Sequence, residues 1–431
     1  MKTTCAALFA LIFSGATMLA QSPTPAKAAP AAKPMPKVDP DALHKSALVI
    51  DTHADTPQRF VDDGYDLAHP TGVEHVSLES AKRGNLGAEF FSIWVEPTQY
   101  KGHYAARTLE LIDSVYQQAA KHPDAMMMAY STTDILTAHR EHKLAALMGI
   151  EGGHSIENSL GLLRDYYRLG VRYMTLTWSN SNDWADSSGD DTNLKIPHTK
   201  DGLTEFGKDV VYEMNRLGMM VDISHVSDKT FYRTLVVTRA PVIASHSGAR
   251  ALDNAPRNMT DDMLRAVAIN GGVVQVNFFS GFVSQKWLDA WVAQSPERDK
   301  AEVVLNAKWK AQNKPVPYAD YDKFTKDWAD KIPRPTLSEL IDHIDHVAHV
   351  AGIDHVGLGS DFDGIPSLPQ GIDSAADLPK ITEALAARGY SASDIKKILG
   401  GNLMRVFGDV ERISRELKST EERPRITQKS E

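Results

Sequence analysis

A chain of 431 residues with 42% hydrophobic and 24% charged side chains can bury a large core, which excludes a disordered, collagen-like or multi-span membrane protein. Its 47 Lys and Arg against 56 Asp and Glu give a net charge of -9 without a basic block, so neither nucleic acid nor an anionic lipid surface is an expected partner. The single cysteine, Cys5, stands in the N-terminal leader, which excludes an internal disulfide, thiol catalysis and Cys-ligated zinc in the mature chain.

Lys2 precedes an apolar run from Ala6 to Ala20, broken only by Ser14, Gly15 and Thr17. One positive charge before such a run is the layout of a secretory signal over 1–20, and the run is too short for a comfortable membrane span. An exported protein, periplasmic or secreted and without a stable span after processing, is expected; an uncleaved anchor is the alternative. Residues 21–40, rich in Ala, Pro and Lys, read as an extended linker. The catalytic domain is expected over 41–410, and 411–431 as a loose polar tail.

Eight short apolar runs follow the linker, at 47–51, 88–95, 145–150, 171–176, 219–223, 241–245, 272–278 and 354–359. Near-continuous apolar runs of this length suit strands buried on both faces, as in parallel sheets. Segments with helical periodicity separate them, at 105–121, 157–169, 203–217, 227–238, 260–270 and 336–350, with 377–389 and 391–407 after the last run. Alternation of eight strands with helices predicts an α/β fold, the (β/α)8 TIM barrel. A doubly wound open sheet is the alternative, but no G-x-G-x-x-G follows any run. Residues 283–335, long for a loop and rich in charge and aromatic side chains, are expected as a partly helical insertion after the seventh strand, over the barrel mouth.

Chemistry in such a barrel sits beyond the C-terminal ends of the strands. The first run ends in Asp51-Thr52-His53-Ala54-Asp55, where His53 and Asp55 point to the same side of an extended backbone. The third delivers Glu151, the fifth His225, the sixth His246 and the eighth Asp361. A lone His or Asp at a strand end is more often a cap or a satisfied polar group. Five of eight ends bearing such residues on one rim point instead to a metal centre. Imidazoles and carboxylates suit zinc, and a carboxylate can bridge two ions. Other candidates carry less. His343, His346 and His349 recur on one helix and read as a solvated face, as do His139 and His142, while His154 reads as a group orienting a ligand or the loop. No H-E-x-x-H or G-x-S-x-G occurs.

Seven blocks, in order, carry a resemblance to a known family: VIDTHAD at 49–55, EGGHSIENSLGLLRDYYRLGVRYMTLT at 151–177, VDISHVS at 221–227, APVIASHSGARAL at 240–252, RNMTDD at 257–262, HVGLGSDFDG at 355–364 and GGNLMRVF at 400–407. From about residue 44 to 408 the chain resembles the membrane dipeptidase (renal dipeptidase) metallopeptidases, as a bacterial member. The resemblance implies two zinc ions per chain, one on His53 and Asp55, the other on His225 and His246, with Glu151 bridging. It implies Asp361 as acid/base and Arg257 as the group that holds the free carboxylate of a dipeptide. A dipeptidase acting through a metal-bridging hydroxide, with tolerance of a D-residue at the C-terminal position, is then expected. Two positions depart from the mammalian pattern: Trp178 stands where those members have a His that stabilises the carbonyl oxygen, and Phe282 where they have a Tyr near the substrate. The alternatives are an amidohydrolase acting on a β-lactam or cell-wall fragment, and a tailoring or binding protein without peptidase activity. Dimers are common in the family, so a homodimer is among the assemblies implied.

Overall fold

Nine short strands, all paired in parallel, make the sheet: β1 (Val49–Ala54), β2 (Leu86–Trp94), β3 (Met126–Met128), β4 (Leu144–Glu151), β5 (Val171–Thr175), β6 (Met220–Asp222), β7 (Ile243–Ser247), β8 (Val273–Val276) and β9 (Val356–Leu358). They belong to a computed structural model that describes residues 39–189, 200–312 and 314–420. The signal at 1–20, nearly all of the linker and the tail beyond 420 lie outside the described residues. Among the described residues no helix is long and apolar enough to cross a membrane.

The strand order β1-β2-β4-β5-β6-β7-β8-β9 is a barrel circuit, and β3 lies off it, paired only with β4. Each expected run therefore corresponds to a barrel strand, and β3 is an addition that sequence reading lacked. Closure comes from the chain after β9, where the Asp361 N–H donates to the His53 carbonyl at 3.0 Å and the Asp55 N–H to the Phe362 carbonyl at 2.7 Å. Thr52 crosses the same seam, its hydroxyl 2.6 Å from the Ser245 carbonyl and 3.1 Å from that of Leu358.

Side chains alternate across the wall with the two-residue period of a strand. Ala88, Phe90, Ala145, Leu147 and Tyr173 fill one cluster inside the barrel, while Phe91, Ile93, Ala146, Met148 and Ile150 pack with the surrounding helices. Each buried ring or branched chain adds about 1.5–3 kcal/mol of transfer free energy. The floor of the barrel is closed by the helix Asn402–Thr420, whose Leu403, Val406, Phe407 and Val410 join the interior cluster. Arg405 and Asn402 bind carbonyls at the starts of β8 and β9, Gly271 at 2.7 Å and Val356 at 2.8 Å. This helix runs past the boundary expected at 410: Ser414 and Leu417 continue its buried stripe to Thr420, so 411–420 is packed structure rather than loose tail.

The insertion after the seventh barrel strand, β8, is helical, at Ser280–Val283, Gln285–Ala293, Ser295–Lys310 and Tyr318–Ala329, before the barrel helix Leu337–Ala351. Trp287 is core, stacked on Trp291 at 5.2 Å and edge-on to Phe279. Tyr318 reaches the barrel rim.

Candidate metal centre

Register brings the strand ends to one level. Trp94 pairs with Glu151, Glu151 with Thr175 and Thr175 with Asp222, a row across β2, β4, β5 and β6. The side chains of His53, Asp55, Glu151, His225, His246 and Asp361 converge just above this row and are all buried.

Glu151 lies at the centre. Its Oε2 is 3.3 Å from His53 Nε2, and its Oε1 is 2.8 Å from His225 Nε2 and 3.5 Å from His246 Nε2. His53 Nε2 also lies 3.6 Å from Asp55 Oδ2, and the Nε2 atoms of His225 and His246 are 2.9 Å apart. His53, Glu151 and His246 form one set of converging donor atoms and His53, Asp55 and Asp361 another.

Hydrogen bonds on the outer nitrogens fix the imidazoles. The Tyr173 hydroxyl donates to the Thr52 carbonyl at 3.0 Å, so at 2.9 Å from His53 Nδ1 its oxygen accepts that nitrogen's proton. The Ser245 hydroxyl donates to Asp222 at 2.6 Å and thus accepts from His246 Nδ1 at 2.8 Å. In the neutral form both rings turn a bare Nε2 inward, the tautomer a metal needs. His225 Nδ1 faces Ser179 at 3.4 Å. Tyr173 can cross the barrel only because residue 149 is Gly: a Cβ there would lie 1.9 Å from its ring.

The electrostatics suit a bound cation. His53 Nε2 and Asp55 Oδ1 are buried without a hydrogen-bond partner. Burial raises the Glu151 carboxyl to about 7 against the pull of His53. Burial, with Asp55 adding to it, also raises Asp361, against His53 and the Asn277 hydrogen bond. Burial works against a proton on His53, but Tyr173, Glu151 and Asp55 outweigh it and hold its pKa well above the imidazole value. His225 and His246 are driven well below it, by burial first, with the charges of Arg257 and His53 adding. Facing lone pairs and partnerless buried carboxylate oxygens cost free energy unless a cation sits among them, and a mixed N/O donor set of this kind suits zinc.

Two of these positions carry backbone strain, since His225 (φ 63°) and Asp361 (φ 65°) occupy the left-handed region without being glycine. Asp361 sits in a tight place. Asn277 donates to its Oδ2 at 2.9 Å, and a Cβ on Gly364 would fall 2.7 Å from its Oδ1 and 2.0 Å from Asp55 Oδ2.

Arg257 is buried beside the imidazoles, its guanidinium 3.0 Å from the His246 carbonyl, 3.4 Å from Ser247 Oγ and stacked over Phe282 at 5.3 Å. Phe282 is therefore the platform under Arg257. Trp178 is half-buried, its ring 6.4 Å from His225 and 5.0 Å from Trp94, so two indoles wall the cluster. His154 bonds the Val95 carbonyl at 2.8 Å and packs edge-on against Tyr104. The helix histidines part company: His343 is buried, accepting from the Ala249 N–H and donating to the Val283 carbonyl, each at 3.1 Å, so the expectation of a solvated face fails there. His346 bonds Asp261 at 2.7 Å and His349 is exposed.

Sequence reasoning missed Tyr173, Asn277, Trp94 and Ser245. Asn277 and Ser245 end strand runs and carried a readable signal; Tyr173 lies inside an apolar run and looks like core. Deeper still, Glu89 is fully buried opposite Asp51 on the β1–β2 ladder with neither carboxylate oxygen hydrogen-bonded.

The chain is similar to known proteins. The family description "Membrane dipeptidase (Peptidase family M19)" matches residues 39–421. An uncharacterized dipeptidase of Schizosaccharomyces pombe is 33% identical over 391 residues, 86% of this chain and 83% of the relative. The crystal structure of the probable dipeptidase PvdM from Pseudomonas aeruginosa superposes with a TM-score of 0.73 at 27% identity, covering 87% of this chain and 98% of that one. A metallopeptidase from Rhodobacter sphaeroides, solved with a phosphinate mimic of the dipeptide L-Ala-D-Ala, has the same fold at a TM-score of 0.68 and 22% identity, covering 84% of this chain and 99% of that one.

Proposed function

Because the chain belongs to the membrane dipeptidase family of metallopeptidases, we propose that it is an exported dipeptidase that works with two zinc ions on His53, Asp55, Glu151, His225 and His246. The observation that carries this reading is Glu151, whose two oxygens face separate donors, Oε2 toward His53 and Oε1 toward His225 and His246. Zinc held there supplies Lewis-acid polarisation and an activated water at neutral pH.

The protein's own groups do the rest. Arg257, fixed by the His246 carbonyl and Phe282, presents a planar cation to the free carboxylate of a dipeptide. Asn277 occupies Asp361 Oδ2, which leaves Oδ1 to take the proton of the attacking water and return it to the leaving amine. Trp178 offers an indole N–H beside His225 for the developing oxyanion. The L-Ala-D-Ala mimic bound by the Rhodobacter sphaeroides protein supports dipeptides with a C-terminal D-residue as substrates. The run Ala6–Ala20 supports export, which N-terminal sequencing of protein recovered outside the cytoplasm checks.

The test is hydrolysis of L–L, L–D and N-blocked dipeptides by the mature chain, with zinc and after chelation. Zinc-dependent cleavage confined to peptides with a free C-terminal carboxylate is expected. No cleavage by folded, zinc-loaded protein would overturn the reading in favour of another amide substrate.

A further inference from the structure

The inserted segment after β8 sends one helix down to the turn that carries Asp361. Tyr318 opens the helix Tyr318–Ala329, and its hydroxyl donates to the Asp363 carbonyl. One turn along the same face, Asp322 receives the Arg59 guanidinium at 2.8 Å. Arg59 also donates through Nε to Asp363 Oδ1 at 3.3 Å and lies over the Tyr318 ring at 5.4 Å. The Ala319 N–H adds a bond to Asp63 at 3.4 Å. The helix thus grips Asp363 by its backbone through Tyr318 and by its side chain through Arg59.

That turn needs an outside hold. Asp361 and Asp363, at φ 65° and 63°, both occupy a conformation that L side chains keep only when their surroundings enforce it. On the barrel side the Asp361 N–H is held by the His53 carbonyl at 3.0 Å, and the Gly364 N–H by the Asp361 carbonyl at 3.2 Å. Thr56 and the His75 N–H fix the Asp363 carboxylate at 2.6 and 2.8 Å. Only Tyr318, among the described residues, holds the Asp363 carbonyl by a hydrogen bond. Burial, with the nearby charge of Asp55, keeps the phenol protonated and therefore a donor.

We propose that the inserted helix Tyr318–Ala329 sets the position of the Asp361 carboxylate, with Tyr318 as the positioning residue. The proposal rests on the reading of Asp361 as the acid/base. An insertion that reads as a cover over the mouth then also governs proton transfer, through one hydrogen bond to a strained turn.

The experiment is Tyr318→Phe in the zinc-loaded protein, which keeps the ring over Arg59 and removes only the donor. A kcat lower by about tenfold, with KM within about twofold and zinc content unchanged, is expected for a slightly misplaced acid/base. Added to Asp361→Asn, the same substitution should change the residual rate by less than about twofold, because its effect passes through Asp361. Amide exchange at 361–364 should quicken by about tenfold while that of β1 and β4 stays as in the parent. A kcat within twofold of the parent, a loss that multiplies onto Asp361→Asn, or unchanged exchange at 361–364 would overturn the proposal. If the parent protein cleaves no dipeptide, the functional reading fails, and the exchange measurement alone decides whether the helix holds the turn.

Discussion

Replacing Tyr173 by Phe removes one oxygen from the barrel interior and leaves the ring in place beside Gly149. That oxygen accepts the His53 Nδ1 proton at 2.9 Å and donates to the Thr52 carbonyl at 3.0 Å, and all three residues are fully buried. No water can take its place without space being made, so a donor and an acceptor lose their partner together. A buried polar group left unsatisfied costs about 1–3 kcal/mol. Loss of the group that orients a metal-bound imidazole typically weakens metal binding by about 10–100-fold, which is about 1.4–2.7 kcal/mol and so the same size. Zinc affinity is read by competition with a calibrated chelator, and activity is titrated against free zinc in parallel. One of the two proposed zinc ions should bind about 10–100-fold more weakly, and activity should recover at high zinc. Unchanged affinity for both ions would refute the claim that Tyr173 fixes the His53 tautomer.

Arg257→Lys keeps the charge but loses the planar fork and its stacking on Phe282; kcat/KM for free dipeptides should fall by about 10–100-fold, roughly the 1.5–3 kcal/mol of a charged hydrogen bond, while C-terminally amidated substrates are spared. Zinc loading should weaken as pH falls through about 7, because the Glu151 carboxyl is raised to that value and must lose its proton to bind metal; pH-independent affinity between 6 and 8 would contradict this. Glu89→Gln should stabilise the zinc-free protein. Burial and the neighbouring Asp51 hold the Glu89 carboxyl well above its ordinary range, so the folded state binds the proton more tightly than the unfolded chain does. Stability is therefore lost as pH rises from the ordinary carboxylate range through the raised value, and the variant escapes that loss. Its advantage in Tm over the parent should be larger at pH 8 than at pH 4, and a constant difference would refute the argument.

The candidate ligands were legible because their chemistry and their position coincide: His53, Glu151, His225 and His246 each follow an apolar run that forms a buried strand. What holds them was not. Tyr173 sits 120 residues from its partner His53 in the sequence, and an aromatic residue inside an apolar run looks like packing until the fold brings the two together. The left-handed backbone at His225 and Asp361 has no compositional mark, since neither is glycine. β3 escaped because three methionines between Ala125 and Ala129 lack a strand's length or branching. The end of the barrel was misjudged because Arg, Glu and Lys dominate 411–420, although Ser414 and Leu417 keep the buried face going.

The closure of the barrel has a consequence for its synthesis. β1 is joined to the chain after β9 by the bonds between His53 and Asp361 and between Phe362 and Asp55, and the floor waits for Leu403, Val406 and Phe407. A ribosome-bound chain that has emerged only to residue 350 therefore holds His53, Asp55, Glu151, His225 and His246 yet lacks the seam that joins β1 to the far end of the strand order. Such long-range pairing forms late, after the sequence between the ends has been made and gathered. Metal capture in the native geometry is thus tied to chain completion, and a nascent fragment cannot be an active hydrolase at its site of manufacture.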